Sequence, residues 1–547
     1  MTGKYWIYLT DKEVFDSQTC ARQLDQLGAT VDAHAATRRA KSMPDRIVDF
    51  HDLPVASSYV EQLHQLGLDV VHESRWLNAV SVRATRAQLA AVAVLPFVSE
   101  IAPVLGTRRH GEPDGIIERF SPDAGRRDSE PAAPGDPFDY GPSRAQLEQI
   151  NVIAAHQAGL SGAGVIVGVF DTGFEHDHPA FSQIVSEGRL LAQYDFVNDD
   201  PETQNESGDD SSQHAHGTFT WSALGGFAEG ELVGPAYGAS FLLAKTEDIT
   251  SETPVEEDNW VAAAEWADQL GVDVISTSLS YIDWYTYEDM DGDTAPITIA
   301  ADIAASRGIV VCVSAGNQGG TAWYYIGAPA DADSIIAVGA VDADNILAEF
   351  SSHGPTYDGR TKPEVLALGV HTHCAIPVEL GADYADVSGT SLSCPLVGGV
   401  AALVVEAHPN WPPMLVRQQL LDTADNAATP DNDRGWGLVD TYGAITAVSG
   451  TPGDPLPAAP LLVAYPNPSR HGVWLEGRLA TAQGPVSVEI FDPAGRLVRR
   501  LDGAESRQSI FWDGRSDVGR AVAPGIYYAR WQSGEWQAST KLILQGS

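Results

Sequence analysis

The chain has 547 residues, more than one ordinary hydrophobic core accommodates, so two to four domains are expected. Its formal net charge of -41, from 33 basic and 74 acidic side chains, argues against nucleic-acid binding, which needs clustered Lys and Arg. No stretch approaches the ~18 consecutive apolar residues of a membrane span, and four cysteines are too few for a disulfide scaffold. A soluble multidomain protein without a transmembrane span is therefore predicted.

The first part of the chain, residues 1–105, mixes strand and helix patterns as a small α+β domain does. Strands are predicted at 4–10, 68–71, 76–82 and 98–104, and amphipathic helices at 17–27, 55–66 and 85–94. Residues 106–142 are rich in Pro, Gly, Asp and Arg, which predicts a linker open to proteolysis.

In residues 143–449 strand and helix patterns alternate. Strands are predicted at 165–170, 239–245, 272–276, 309–314 and 335–339, and helices at 144–158, 216–226, 257–270, 295–307, 391–407 and 412–423. Repeated βα units predict an α/β domain with a parallel, helix-covered sheet.

The C-terminal part begins after a second Pro-rich linker, residues 451–460. Seven short strands are predicted at 461–464, 473–475, 485–492, 496–501, 508–512, 525–532 and 538–544, with a hairpin turn at 492–495. Residues 461–547 are therefore expected to form a β-sandwich.

Three short segments of the central region each supply one functional group. Asp171 ends an apolar strand, His216 opens a helix-like stretch, and Ser391 precedes a long apolar helix. A serine hydroxyl is a poor nucleophile until an imidazole takes its proton, and the imidazole needs a carboxylate to fix its tautomer. The three groups together predict a serine protease.

Other classes of hydrolase would each require a residue or motif at a different place in the sequence. An aspartic protease would need a second Asp-Thr-Gly, an α/β-hydrolase would need glycine where Ser393 stands, and a sedolisin-like peptidase would need Glu and Asp in place of the His motif. A metal site remains an alternative use of the nearby group His176, Asp177, His178 and His214.

The central region resembles the subtilisin-like serine proteases, or subtilases, through four motifs in the order of that family. These are VGVFDTGFEHDHPAF at 167–181, HAHGTF at 214–219, VSAGNQG at 313–319 and GTSLSCP at 389–395. The resemblance implies that Asp171 orients His216, that His216 acts as general base and then acid, and that Ser391 attacks the scissile carbonyl. It also implies that Asn317 and the Ser391 backbone N–H form the oxyanion hole, with no cofactor needed for catalysis.

The same resemblance implies the substrate-binding segments. Ser278-Leu279-Ser280 matches the strand that pairs with substrate backbone, and Ser314-Ala315-Gly316 matches a wall of the first specificity pocket. Ser280 stands where the family usually has Gly, and Leu392 and Leu396 stand where it commonly has Met and His. No charged residue is evident at the pocket walls, which favours an apolar or broad preference.

The first domain resembles subtilase propeptides in size, order and α+β pattern. Such a domain would act as folding chaperone and inhibitor until the chain is cut, and the cut is expected in the linker 106–142, which contains the pairs Arg108-Arg109 and Arg126-Arg127. A permanent N-terminal accessory domain is the alternative.

The last domain resembles the C-terminal sorting domains of Bacteroidetes-type secreted proteins. The matching pieces are Tyr465-Pro466-Asn467-Pro468, residues 486–492, Gly495-Arg496 and Gly525-Ile526-Tyr527-Tyr528. The resemblance implies engagement of an export machinery and a secreted or cell-surface location, whereas a plain β-sandwich for stability or substrate binding is the alternative. No secretory signal is visible before the strand-like residues 5–9, which fits either an intracellular protein or numbering that starts after a removed leader.

Two further features bear on ligands and reactivity. The acidic segment 198–212 could bind a structural Ca²⁺, but it lacks the D-x-D-x-D-G spacing, so a solvated loop is favoured. Cys394 is expected to be a small buried side chain and not a second nucleophile.

Three functions are therefore considered. The first is a secreted serine endopeptidase that acts on protein or peptide substrates and is made as a self-processed zymogen. The second is a surface binding or adhesion protein whose peptidase fold is held inactive, and the third is a specialised protease that matures one partner.

Overall fold

The computed structural model of this chain contains two compact units. Residues 28–47 group with 104–447 in one unit, and residues 1–27, 48–103 and 448–547 form the other. The structure describes residues 2–44, 46–104, 135–250, 255–381, 383–447, 461–465, 472–478, 486–493, 495–504, 510–533 and 536–544. Outside the described residues lie the linker predicted at 451–460, most of the linker at 106–142 with both arginine pairs, and positions 466–468 of the sorting-domain resemblance.

The N-terminal region contains a four-stranded sheet in the order β2-β3-β1-β4, in which β3 pairs antiparallel with both β1 and β2. A continuous apolar core that includes Ile7, Leu63, Val80 and Val82 supports it, as predicted for an α+β domain. The elements are β1 (Thr2–Leu9), α1 (Ser17–Gly28), α2 (Ala33–Ser42), α3 (Ser57–Gln65), β2 (Asp69–Ser74), β3 (Ala79–Thr85), α4 (Arg86–Val92) and β4 (Val98–Val104).

The central region is built on a seven-stranded sheet in the order β13-β12-β11-β10-β5-β9-β6, and every neighbouring pair is parallel. The predicted α/β fold with a parallel sheet is confirmed. The elements are α5 (Arg144–Gln149), α6 (Val152–Gln157), β5 (Ile166–Asp171), α7 (Ser182–Ser186), β6 (Leu190–Asp195), α8 (Ala215–Gly225), β7 (Phe227–Ala228), β8 (Leu232–Val233), β9 (Ser240–Lys245), α9 (Val255–Gln269), β10 (Val274–Thr277), α10 (Pro296–Ser306), β11 (Val310–Ser314), β12 (Ile336–Val341), β13 (Val365–Leu368), β14 (Thr372–Ala375), β15 (Tyr384–Val387), α11 (Thr390–Ala407), α12 (Pro413–Thr423) and α13 (Thr441–Thr446).

One predicted helix is divided in the structure. Residues 144–158 form α5 and α6, because Asn151 adopts a left-handed conformation with φ of 57° that no continuous α-helix accommodates. Helix α11 is long and apolar enough to cross a membrane by composition, but 89% of it is buried inside the protein. It is therefore the core helix of the central region.

The C-terminal strands form two sheets, β16-β17-β20 and β19-β18-β21-β22. Side chains from both sheets, including Leu475, Val488, Trp512 and Trp531, are fully buried between them, as expected for a β-sandwich. The strands are β16 (Leu461–Tyr465), β17 (Val473–Arg478), β18 (Val486–Phe491), β19 (Leu497–Ala504), β20 (Ile510–Trp512), β21 (Gly525–Ser533) and β22 (Trp536–Leu544).

Candidate active site

The predicted acid and base lie together at the carboxyl end of the parallel sheet. Asp171 is the last residue of β5, and His216 lies in the first turn of α8. Nδ1 of His216 lies 2.7 Å from Oδ1 of Asp171, and both side chains are buried. The other carboxylate oxygen accepts a 2.9 Å hydrogen bond from the Thr220 hydroxyl, and the Thr172 N–H donates to Oδ1 at 2.7 Å. Asp171 is thus held by three donors that fix its plane.

The close approach of α8 to the segment after β5 depends on Gly217. A Cβ at position 217 would lie 2.1 Å from the Gly173 carbonyl oxygen, so no side chain fits there. Gly173 itself has a φ of 128°, which other residues rarely adopt. These glycines allow the backbone contact that brings His216 to Asp171.

Ser391 occupies the first turn of α11, whose N-terminus carries the positive end of the helix dipole. Its backbone carbonyl accepts a 2.9 Å hydrogen bond from the Ser278 hydroxyl, and its own hydroxyl lies 3.5 Å from the Ser278 carbonyl oxygen. Ser391 opens into a cleft lined by Ser278, Ser280, Tyr281, Ile282, Asp283, Trp284, Ser314, Gly316, Asn317, Gln318 and Thr390.

Asn317 lies in this cleft with its amide oriented by Thr390. The Thr390 N–H and hydroxyl each donate to Asn317 Oδ1, at 2.9 Å in both cases. Because the oxygen is occupied on that side, the amide nitrogen faces the opposite way and keeps its N–H donors for another acceptor. Asn317 and Ser391 line the same cleft.

Four of the six predicted substrate-binding residues line the cleft, namely Ser278, Ser280, Ser314 and Gly316. Leu279 and Ala315 are buried and are not among the lining residues, and the Leu279 carbonyl accepts a hydrogen bond from the Ser314 hydroxyl at 3.3 Å. The segment Tyr281–Trp284, Gln318 and Thr390 were not predicted to line it. Tyr281–Trp284 and Gln318 directly follow predicted residues, and Thr390 directly precedes Ser391, so their position in the sequence is the signal that could have identified them.

The Ser280 hydroxyl lies close to two glycines, Gly316 in the cleft wall and the buried Gly327. A Cβ on Gly316 would lie 3.0 Å from Ser280 Oγ, and a Cβ on Gly327 would lie 2.4 Å from the same atom. Ser280 is exposed to the cleft, so its hydroxyl fills space that a glycine at position 280 would leave open. No charged residue was predicted at the walls of the specificity pocket, but Asp283 is one of the residues that line the cleft.

The histidines of the alternative metal site are engaged with separate partners and do not converge on one metal-binding position. His178 is engaged through both ring nitrogens, which lie 3.1 Å from the Ala180 N–H nitrogen and 2.9 Å from the Asp383 carbonyl oxygen. His176 lies 3.3 Å from Glu202, and Nδ1 of His214 accepts from the Asn205 N–H at 3.2 Å. Across the part of the chain that the structure describes, no group of three or more His, Cys, Asp or Glu is arranged to hold a metal ion.

One carboxylate of the acidic segment 198–212, that of Asp209, pairs with a lysine, Lys245, which also pairs with Asp195 just before the segment. The Lys245 ammonium lies 2.7 Å from Asp195 and 2.9 Å from Asp209, and its side chain is buried. Burial by itself lowers the pKa of Lys245, but the hydrogen bonds and charges of these two carboxylates together outweigh burial and raise the pKa. The Lys245 ammonium thus provides, beside Asp195 and Asp209, the positive charge that a bound cation would otherwise provide there.

Cys394 lies one turn after Ser391 but points into the core. Its thiol is fully buried and lies 3.5 Å from the Thr277 carbonyl oxygen, and burial raises its pKa to about 12. The thiol is therefore not a nucleophile near neutral pH, in agreement with the prediction.

The parallel sheet, the Asp171–His216 pair and Ser391 on the core helix define a subtilisin-like fold. The profile of the subtilase family matches residues 162–437, half of the chain, so the chain belongs to the subtilase family. The profile of the Bacteroidota peptidase S8 propeptide domain matches residues 4–113.

Individual relatives and one solved structure are also similar to this chain. Subtilisin E from Bacillus subtilis (strain 168) is 35% identical over 280 residues, which are 51% of this chain and only 65% of that relative. A subtilisin from Bacillus pumilus is 34% identical over 280 residues, which are 90% of its length. The crystal structure of fervidolysin from Fervidobacterium pennivorans, described as a keratinolytic enzyme related to subtilisin, superposes with a TM-score of 0.58 at 18% identity and covers 100% of this chain and 91% of that one. The last comparison concerns the fold alone.

Proposed function

We propose that this chain is a secreted serine endopeptidase, made as a zymogen that removes its own N-terminal domain. The observation that carries the proposal is the buried 2.7 Å contact between His216 and Asp171, in one domain with a serine at the start of the core helix. A carboxylate that fixes an imidazole beside a serine is the arrangement that activates a hydroxyl for acyl transfer.

The reaction would proceed through an acyl-enzyme. Nε2 of His216 takes the proton of the Ser391 hydroxyl as Oγ attacks the scissile carbonyl, and Asp171 stabilises the imidazolium that forms. The imidazolium then protonates the leaving amine, and a water molecule repeats the sequence to release the acid. The oxyanion is held by the backbone N–H of Ser391 and the Asn317 amide, which Thr390 holds in that direction.

The substrate backbone would lie along Ser278-Leu279-Ser280, and the side chain before the scissile bond would enter the space bounded by Ser314-Ala315-Gly316. This assignment is supported by the cleft that these segments line beside Ser391. The Ser280 hydroxyl narrows that space, so we extend the proposal to a preference for small uncharged side chains over large aromatic ones.

The N-terminal domain would act as the intramolecular inhibitor until the chain is cut within 106–142. The match of residues 4–113 to a peptidase S8 propeptide domain supports this role. The C-terminal β-sandwich would engage the export machinery and place the protease outside the cell or on its surface, a role that rests on the sequence resemblance of its strands.

Mass spectrometry of wild-type and Ser391→Ala protein tests the proposal. Wild-type protein is expected to yield a fragment that begins within residues 106–142 and to hydrolyse an unfolded protein substrate, whereas the Ser391→Ala chain stays intact and inactive. Persistent absence of hydrolysis in wild-type protein, with no labelling by a serine-directed phosphonate, would instead favour a binding or adhesion protein with an inactive peptidase fold.

A further inference from the structure

Helix α2 belongs to the sequence matched by the propeptide profile but packs into the unit that carries the active site. The helix begins after Asp32, whose side chain accepts from the N–H groups of His34 and Ala35 at 2.8 and 3.3 Å. Its buried residues are Ala35, Arg38 and Arg39. A helix that buries two arginines is unusual, since arginine is almost never fully buried unless it is paired.

The two arginines converge on one carboxylate. Arg38 donates to Oδ1 of Asp268 at 2.5 Å, and Arg39 donates to both oxygens of the same carboxylate. Asp268 is fully buried, and Arg38 has only 1% of its side chain exposed. Charge-assisted hydrogen bonds in a water-excluded site are the strong class of polar contact.

The remaining donors of Arg38 meet backbone carbonyls at the ends of two helices. Nη1 donates to the Val272 carbonyl at 2.5 Å, just after α9, and Nε donates to the Arg307 carbonyl at 3.2 Å, just after α10. Helix C-termini carry negative partial charge, and Asp268 adds a full charge in the last turn of α9. The site, which we call the acceptor notch (Asp268, Val272 and Arg307), therefore offers acceptors to a group that has only donors, as guanidinium does.

The backbone of the notch is shaped for the approach of α2. A Cβ on Gly308 would lie 2.7 Å from the Arg38 carbonyl oxygen, and Gly308 has a φ of 93°. A Cβ on Gly271 would lie 3.3 Å from the His34 ring. Beyond α2, the Arg307 guanidinium lies 3.6 Å from the sulfur of Met43, so contact continues past the end of the helix.

We infer that residues 28–47 anchor the N-terminal fragment to the protease after the chain is cut, with Arg38 and Arg39 seated in the acceptor notch. The inference rests on the proposed function, because it takes cleavage within 106–142 as its starting point. The cut removes the covalent link but leaves every contact of α2 in place. Release of the fragment then requires that the contacts of Asp268 with both guanidinium groups break. The strength of these contacts sets how long the cleaved domain stays bound.

The test separates this anchor from catalysis. The full chain with Ser391→Ala and a site-specific protease sequence inserted between residues 105 and 134 is cleaved by that added protease, and dissociation of the N-terminal fragment is followed on dilution. The Arg38→Met/Arg39→Met variant is expected to weaken retention about 100-fold, since truncating one side of a buried charge pair costs several kcal/mol. The control is Arg83→Met, which removes an arginine from an exposed 3.3 Å pair with Asp69.

Asp268→Asn tests the same contact from the other side, so the inference stays testable if the arginine variant does not fold. Asp268→Asn is expected to weaken retention comparably, and combining it with the arginine changes should add little to either alone. Retention within about three-fold of the parent in the folded variants, or full additivity of the two changes, overturns the anchor. Self-cleavage of the chain that retains Ser391 is measured separately, so a failure of the proposed protease activity leaves this result readable.

Discussion

The hydroxyl of Thr390 lies 2.9 Å from Oδ1 of Asn317, and the Thr390 N–H reaches the same oxygen at 2.9 Å. The residue before Ser391 thus determines which way the amide of Asn317, the proposed oxyanion-hole donor, faces. Because Thr390 belongs to the first turn of α11, one helix terminus positions both Ser391 and the amide.

Thr390→Val should lower kcat about ten-fold with KM nearly unchanged, because the backbone N–H still holds Asn317 but the hydroxyl donor is lost. Asn317→Ala should cost about 10²–10³ in kcat, the loss known for the oxyanion-hole asparagine of a subtilisin. Steady-state kinetics on a peptide amide checks both, with Thr390→Ser as the rescuing variant. An unchanged kcat in Thr390→Val would show that the hydroxyl does not orient the amide.

Asp171→Asn should reduce kcat by about 10⁴ without unfolding the domain, because an amide at this position favours the wrong imidazole tautomer. The Thr220 hydroxyl donates to the other Asp171 oxygen at 2.9 Å, so Thr220→Val is the matched variant and should cost far less. Single-turnover acylation rates, together with thermal unfolding of each variant, distinguish lost chemistry from lost structure. Equal losses in the two variants would contradict the assigned role of Asp171.

The sequence was sufficient for the parts of the site that depend on local pattern. Asp171 follows an apolar strand and Ser391 begins an apolar helix, so hydrophobic periodicity and chain order placed both. Strands β6 and β13 were not predicted, because four to six residues of ordinary composition carry little periodic signal. The contact of Thr390 with Asn317 joins residues that are 73 positions apart, and no local pattern encodes it.

Helix α2 was missed for a different reason. Its sequence, AHAATRRAKS, has alanine as its only apolar residue type, so an amphipathic face is not visible in it. The side chains it buries are arginines, which sequence patterns assign to solvent. Their burial depends on Asp268, which is 230 residues away from Arg38.

Ser280→Gly should widen the specificity pocket. Removing Oγ and Cβ from between Gly316 and Gly327 frees space for a larger side chain, so the ratio of kcat/KM for a Phe over an Ala substrate should rise about ten-fold or more. The measurement uses peptides that differ only in the residue before the scissile bond. Ser280→Ala, which keeps Cβ, should give a ratio between those of the wild-type protein and Ser280→Gly. A ratio that is unchanged in both variants would show that the pocket lies elsewhere.

Lys245→Met should destabilise the central domain by about 3–5 kcal/mol, because it leaves the carboxylates of Asp195 and Asp209 without their shared cation. Chemical denaturation in the Ser391→Ala background measures the free energy of unfolding without self-digestion. Arg189→Met is the control, since Arg189 pairs with a partly exposed Glu187. A change below about 1 kcal/mol in Lys245→Met would mean that the acidic segment does not depend on this charge.

His34 should make the α2 contact dependent on pH. Its Nε2 lies 2.8 Å from Oδ2 of Asp273, and the hydrogen bond to Asp273 raises the pKa of His34 from its usual 6.5, whereas burial, Arg38 and Lys41 oppose the shift. Since the folded-state pKa of His34 is higher than the unfolded-state pKa, the stabilisation is complete below about pH 6.5 and is lost as pH rises through the raised pKa.

The His34 side chain is 41% exposed, so solvent screening limits this stabilisation to under about 1 kcal/mol. In the Ser391→Ala chain, the Tm difference between the protein with His34 and a His34→Gln variant should therefore be positive near pH 6 and shrink as pH rises through the raised pKa. A difference that does not change with pH would assign His34 a packing role instead.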